Sequence, residues 1–420
     1  MKTVAILGYG GRGRMYALLL RLFHRKQARV VAVIDNDVNK LQLAKKENKL
    51  PDNCLYDSYN TFIEGDKIAD WLFVCTQDSD HYAHTLPALR KGYDILLEKP
   101  ISADLKQCNE IAETATRLNR KVAVCHVLRY TYFYDKVKQI VDSGVLGDIV
   151  AIEMQENVGY WHQAHSYVRG DWRNSAQSTP MIFAKCCHDL DLATYILSSP
   201  CNTISSVGEL HHFKAEKAPE GSADRCVDCK LDCPYNAATW YIKRLKKWPL
   251  LLRKYAWPMS RLVPDSTPTV RKLKKAVAEG QFGRCVYKCD NDVVDYQTVT
   301  MQFANGVQGT LTMTAFSHDC FRTIQVRGTR GMLTGNFEKN ALYLNIYGKK
   351  PQKIRLPKTL GGHGGGDTGL IRAFAEGYSK TDINLSIHSH VMAYAAEASR
   401  LNNGIPVDVN KYLDEVLSQH

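Results

Sequence analysis

The stretch VAILGYGGRGRMYALLLRLFHRKQARVVAVID, residues 4–35, decides how this 420-residue chain folds. An apolar run, Val4 to Leu7, leads into Gly8-Tyr9-Gly10-Gly11-Arg12-Gly13, and a second run, Val30 to Ile34, ends in Asp35. Between a strand and a helix, glycines at this spacing serve different mechanical needs. Gly8 makes the tight turn, Gly10 lets backbone approach a pyrophosphate, and Gly13 lets the helix pack on the sheet, with Gly11 and Arg12 completing the loop. The following helix, read as Arg14 to Arg25, aims free N–H groups and the positive end of its dipole at that phosphate. Asp35 lies 22 residues beyond Gly13, where a carboxylate accepts hydrogen bonds from a ribose 2′-hydroxyl and repels a 2′-phosphate. The pattern predicts a dinucleotide site favouring NAD over NADP.

Strand and helix patterns alternate from there to about residue 128: a helix near Leu41 to Asn48, Trp71 to Cys75, a helix near Tyr82 to Lys91, Asp94 to Leu97, a helix near Leu105 to Leu118, and Val122 to His126. Such alternation implies parallel strands with right-handed crossovers, a doubly wound α/β sheet of Rossmann type. After Arg129 the texture changes to period-two strands, Ile149 to Glu156, Asp295 to Phe303, Gly309 to Thr314 and Thr323 to Arg327. This predicts an α+β domain with an open, largely antiparallel sheet. The expected division is 1–128 for the nucleotide and 129–420 for substrate and oligomerisation. A Cys- and Lys-rich insertion occupies about 213–284, and the last helices, ending near Asn403 before Gly404, are expected to pack back on the first domain.

The chain carries 55 Lys and Arg against 43 Asp and Glu, a formal charge of +12. Its basic runs, Lys243 to Lys254 and Arg271 to Lys275, come without any nucleic-acid-binding signature, so no nucleic-acid partner is expected; they read as a solvated face, or as one that steers an anionic sugar or docks on an acidic surface. No apolar stretch is long enough to span a bilayer and no export signal is recognised, so a cytoplasmic location is expected. Thirteen cysteines, an odd number scattered across strands, do not form a disulfide framework.

At Glu98-Lys99-Pro100, where the strand Ile95 to Leu97 ends, the chain resembles the Gfo/Idh/MocA oxidoreductase family. The likeness extends to the glycine loop, Val74-Cys75-Thr76 with His81 and His84, Arg129-Tyr130, His188 with Asp191, and the closing helix. It implies oxidation or reduction of a carbinol carbon of sugars, cyclitols or their derivatives with NAD or NADP, with the lysine of the E-K-P motif at substrate and cofactor and a second-domain histidine or tyrosine as acid/base. By that likeness Thr76, His81, Glu98, Lys99 and Arg129 join the glycine loop and Asp35 as cofactor residues, and Lys99, His188 and Asp191 form the catalytic set. Many relatives carry an aspartate four residues before the histidine; here Ala184 stands there, with Lys185 beside it.

The chemistry suits those residue types. Removing a hydroxyl proton while hydride leaves the same carbon needs a base and a cation converging on one oxygen. His188 and Asp191 are three apart, on one helical face, where the carboxylate can orient the imidazole. The aromatic- and donor-rich run containing Tyr160, His165, Arg169 and Trp172 is suited to stack on and bond a sugar ring, and Lys185 is a further candidate. The loop Gly362-His363-Gly364-Gly365-Gly366-Asp367 is similar to a segment in the NAD-dependent glycosidase branch, which makes His363 and Asp367 candidate substrate contacts.

Three readings follow. The first is an NAD-dependent oxidoreductase acting on a ring hydroxyl of a sugar, sugar derivative or glycoside. The second is a glycosidase that recycles the hydride through oxidation, elimination and re-reduction, and the third a non-catalytic NAD- or sugar-sensing regulator. Cys226-x-x-Cys229-x-x-x-Cys233 has metal-ligand spacing, with Cys285 among the available fourth ligands, so a closed structural zinc site pinning the insertion is weighed against free thiols. The open sheet face predicts a homo-oligomer, dimer or tetramer.

Overall fold

The computed structural model describes residues 1–264, 266–359 and 362–419. In the first sheet β1 (Lys2–Leu7), β2 (Ala28–Ile34), β3 (Leu55–Tyr56), β4 (Trp71–Val74), β5 (Asp94–Leu97) and β6 (Val122–Val124) run in the order β3-β2-β1-β4-β5-β6, every pairing parallel. Strands such as Val4-Ala5-Ile6-Leu7 and Leu72-Phe73-Val74 are apolar at consecutive positions because helices cover both faces. Helix α1 (Gly11–Phe23) begins three residues before the expected Arg14, so Arg12 and Gly13 lie in its first turn.

The second sheet has nine strands: β7 (Ile149–Asn157), β8 (Cys201–Glu209), β9 (Tyr296–Phe303), β10 (Gln308–Thr314), β11 (Phe321–Gly328), β12 (Gly331–Asn336), β13 (Ala341–Ile346), β14 (Gln352–Ile354) and β15 (Val407–Asp408). Their order is β14-β13-β12-β11-β7-β10-β9-β8-β15. The pairings are antiparallel except the central β7–β10 pair, which is parallel. Burial alternates along β9 and β10, and the inward residues Val299, Met301, Leu311 and Met313 pack under helices Cys187–Leu197 and Ile383–Leu401. The latter helix starts six residues before the expected Ser389, because the Asp382 side chain caps it by accepting from the Asn384 N–H at 3.0 Å.

Helix Gly366–Glu376 packs against α1, with Phe374 meeting Trp71 and Phe73 edge-on at 5.1 and 5.0 Å. Helix Ile383–Leu401 lies on helix Leu105–Arg117, and its Tyr394 hydroxyl donates to Ser102 O at 3.2 Å. The insertion has its own small core, in which Tyr241, Leu245, Met259, Leu273 and Val277 join helices Ala237–Lys246 and Val270–Glu279.

Gly8 adopts φ +88°, and a Cβ there would lie 2.6 Å from Cys75 O; a Cβ on Gly13 would lie 2.1 Å from Gly8 O. Gly13→Ala therefore forces α1 off the sheet and is expected to cost about 1–3 kcal/mol, read as a lower denaturant midpoint.

Candidate active site

The glycine loop divides into two kinds of position. Gly8 and Gly13 touch the sheet, whereas a Cβ at Gly10 or Gly11 would meet no atom within 4 Å, so the space above them is open. No side chain caps the amino end of α1, leaving its first N–H groups for an anion. Asp35, buried at the end of β2, accepts from the Tyr9 N–H at 2.7 Å and the Asp37 N–H at 3.0 Å, and Lys40 Nζ lies 3.4 Å away. The carboxylate thus fixes the loop it borders. Open space over Gly10 and Gly11, an uncapped helix end and a strand-terminal aspartate together fit an adenine dinucleotide.

Arg12 is held by carboxylates. Its Nε donates to Glu98 Oε1 at 2.6 Å, its Nη1 to Asp367 Oδ1 at 2.8 Å, and Nη2 bonds the Tyr16 hydroxyl. Tyr16 also donates to Glu98 Oε1 at 2.6 Å. Burial alone would raise the Glu98 carboxyl, but Arg12 and the Tyr16 hydrogen bond hold it below the ordinary range. Glu98 and Asp367 are therefore bound to Arg12, and through it they join the two halves of the protein. The Asp367 carboxylate also binds His363 Nδ1 at 3.0 Å.

The Lys99-Pro100 peptide is cis, and His81, fully buried beneath it, bonds Pro100 O through Nδ1 at 2.7 Å. His81 supports the turn. Lys99 Nζ crosses to the second half and donates to Ala184 O at 2.8 Å. A main-chain carbonyl thus accepts from this lysine. Thr76, just past β4, pairs its hydroxyl with His84 Nδ1 at 3.1 Å.

His188 sits in the first turn of helix Cys187–Leu197, 6% exposed, with Nδ1 buried and unpartnered. Burial, reinforced by Lys99 and then by His126, Arg322 and His363, drives its pKa well below the ordinary histidine value, so the imidazole is neutral, with a nitrogen lone pair open to a hydroxyl proton. Its ring lies 5.7 Å from that of His126 and 6.3 Å from that of His363.

Asp191 does not orient His188. Both its oxygens are taken at 2.7 Å by Arg129, whose Nη1 also donates to Lys380 O and whose guanidinium lies over Tyr195. Arg129, expected at the cofactor, is instead engaged in this buried bidentate pair.

The aromatic run divides in the same way. His165 bonds the Tyr241 hydroxyl at 2.7 Å and stacks on Phe282 at 4.7 Å; burial lowers its pKa to about 3. Arg169 donates to Arg284 O, Tyr235 O and Cys226 Sγ. Both side chains, expected at the substrate, are engaged with the insertion. Trp172 reaches across to Asp78 Oδ2 at 3.4 Å, Tyr160 packs against Tyr235, and Lys185 pairs with Glu156 at 3.3 Å, the last within a buried group of Glu156, Arg322 and Asp189.

The zinc expectation is not supported. Among the described residues no three His, Cys, Asp or Glu side chains are grouped to hold a metal. The insertion is closed by main chain: Cys226 N donates to Gly283 O and Cys285 N to Asp224 O, both at 2.8 Å. The Cys226, Cys229, Cys233 and Cys285 side chains are free thiols.

One residue beside His188, and the contacts of the aromatic run with the insertion, escaped the sequence reading. His126, just past β6, is fully buried with neither ring nitrogen bonded, and Nε2 lies 3.7 Å from Asp191 Oδ1. Its place at a strand's carboxyl end was the available signal. Trp161 and His162 meet Trp257 of the insertion at 5.8 and 5.0 Å, contacts that sequence separation hides.

Sequence models of the oxidoreductase family Gfo/Idh/MocA match residues 2–126 as an NAD-binding Rossmann fold and residues 138–396 as its C-terminal alpha/beta domain. The chain belongs to the Gfo/Idh/MocA oxidoreductase family. It is an NAD(P)-dependent oxidoreductase. YteT of Bacillus subtilis (strain 168), a protein named as an oxidoreductase, is 22% identical over 397 residues, 88% of each chain. D-glucoside 3-dehydrogenase of Escherichia coli (strain K12) is 30% identical over 126 residues, 30% of this chain and 35% of that one. An inositol dehydrogenase homolog from Azotobacter vinelandii, solved with NAD+, superposes with a TM-score of 0.68 at 17% identity, covering 97% of each chain.

Gly10→Ala is expected to leave the melting temperature unchanged while weakening NAD binding by about tenfold or more in calorimetry, a difference of about 1.4 kcal/mol. Asp191→Asn, by stranding Arg129 in the interior, is expected to cost about 3–5 kcal/mol of stability in chemical denaturation.

His126, His162, His165, His188 and His390 all have pKa values lowered by burial, to about 3 for His165 and His390. Below pH 6.5 the unfolded chain binds protons that the folded one refuses, so stability falls with falling pH, by about 1.4 kcal/mol per pH unit for each such histidine. Denaturant midpoints measured from pH 7 to pH 5 test this; a flat profile contradicts it.

Proposed function

We propose that the protein transfers a hydride between a ring hydroxyl of a sugar, sugar derivative or glycoside and the nicotinamide of NAD, with Lys99 and His188 at the reacting oxygen. The observation that carries this reading is the meeting of two groups from different halves. Lys99 reaches from the end of β5 to Ala184 O, and the buried, neutral His188 feels its charge.

Residues 1–128 bind the cofactor through Gly8, Gly10, Gly11, Gly13, Asp35 and Thr76, and residues 129–420 present the substrate. NAD, when bound, supplies the carbon that accepts or returns the hydride. His188 accepts the hydroxyl proton, and the Lys99 ammonium stabilises the oxygen as negative charge develops on it. His126 packs beside His188 and Asp191. Lys185, Tyr160, Trp172 and His363 border the substrate. The named dehydrogenase relatives that act on a glucoside or an inositol support the substrate class.

The protein is further proposed to act in the cytoplasm as a homo-oligomer. Val150, Val207, Tyr296 and Tyr343 stand exposed on the nine-stranded sheet, where a recess of about 570 Å³ is bordered by Val207, Tyr296 and Phe316, away from Lys99 and His188.

Incubation with NAD and a panel of sugars, cyclitols and glycosides is expected to generate NADH absorbance. His188→Gln and Lys99→Ala are each expected to lower kcat by about 10²–10⁴-fold with NAD still bound. Full turnover in either variant refutes the assignment. Release of sugar from a chromogenic glycoside without net NADH selects internal hydride recycling, and NAD binding with no turnover on any substrate selects a sensor.

A further inference from the structure

The positive charge of the chain is concentrated in one place. Residues 237–280 contain eleven Lys and Arg against two acidic residues, Asp265 and Glu279, while the other 376 residues carry 44 basic against 41 acidic. The segment belongs to the insertion, outside the glycine loop and the Lys99–His188 pair. Glu279 is engaged by Lys275 of the same helix at 4.0 Å.

Within this basic module the apolar residues are inverted in part. Helix Ala237–Lys246 buries Tyr241 and Leu245 and exposes Lys243 and Lys246, an ordinary amphipathic arrangement. The chain then passes exposed Lys247 and Pro249 into a short turn, Leu250–Tyr255, whose three leucines point away from the core: Leu250 is 66% exposed, Leu251 87% and Leu252 48%. Trp257, a few residues on, is 45% exposed. Three consecutive outward leucines with a nearby tryptophan, between the cations of Lys243–Lys247 and those of Arg271–Lys275, are an arrangement that water penalises and that phosphate alone does not repair.

We propose that the insertion docks the enzyme on an anionic lipid bilayer, with Leu250, Leu251 and Leu252 entering the acyl boundary and the surrounding lysines bonding headgroup phosphates. Charge and hydropathy select this occupant together. Anionic headgroups attract clustered Lys and Arg by about 1 kcal/mol each, and leucine and tryptophan gain by leaving water at the interface. A polynucleotide satisfies the cations and leaves the leucines in water. No helix among the described residues is long and apolar enough to cross a membrane, so the attachment is peripheral. Because Trp257 also contacts Trp161, His162 and His165, the docking element is continuous with the aromatic run at residues 160–172.

The test is co-sedimentation of the full chain with vesicles of phosphatidylcholine alone or with roughly one-third phosphatidylglycerol, at about 0.1 M salt. The expected result is pelleting with the anionic vesicles only. Leu251→Asp is expected to weaken it by about tenfold or more. Removing two headgroup contacts with Lys246→Glu and Lys247→Glu is expected to weaken it by about thirtyfold. Since all three side chains are exposed, the melting temperature and the affinity for NAD stay at the parent values. Equal pelleting with both vesicle types, or none, overturns the proposal. So does binding to anionic vesicles that Leu251→Asp leaves intact, or binding to a short RNA or DNA duplex in preference to the vesicles.

Discussion

Arg12 is the side chain on which the two halves of this enzyme converge. Its guanidinium leaves the glycine loop, takes Glu98 beside Lys99, and takes Asp367 at the start of helix Gly366–Glu376. Each carboxylate would resist burial alone; Arg12 holds Glu98 charged, and the His363 hydrogen bond together with Arg12 holds Asp367 charged. The consequence is geometric. With Glu98 pinned, the neighbouring Lys99 is directed toward Ala184 O; with Asp367 pinned, His363 is held near His188. The cleft is a product of this junction as much as of either sheet.

The insertion shows a second way of closing a long excursion. Cysteines near its two ends suggested a metal clip, yet two main-chain hydrogen bonds between Asp224–Cys226 and Gly283–Cys285 do that work, with Arg169 donating to carbonyls on both sides. Backbone pairing needs no particular side chain, so spacing of thiols was a poor guide to it. His165, Trp161 and Trp257 then knit the module to the aromatic run at residues 160–172.

Much of the fold was legible along the chain. Consecutive apolar positions in β1, β4 and β5 announce a sheet covered on both faces, and alternation in β9 and β10 announces one covered on a single face. Element ends moved by one to six residues where a cap decided them, as Asp382 did for helix Ile383–Leu401. The parallel β7–β10 pair in an otherwise antiparallel sheet left no local trace, since strand direction is set by connections that run through more than a hundred residues. In the candidate site, the glycine loop and Asp35 stood out by local pattern, at the end of a strand and the start of a helix, whereas Lys99 and His188 were singled out through the likeness to the family.

What the sequence by itself determined was therefore the cofactor cradle: the positions of Gly8, Gly10, Gly13 and Asp35 are a local consequence of one strand-turn-helix-strand unit, settled within 35 residues. What only the tertiary structure decided was the use of charged and aromatic side chains shared between distant segments. Asp191 lies three residues from His188 yet binds Arg129, 62 positions away, and His165 and Arg169 face the insertion and not the cleft. The reason is physical. A buried ion or hydrogen-bond donor takes whatever partner offsets its lost hydration, and that partner is chosen by packing in three dimensions, which spacing along the chain does not encode.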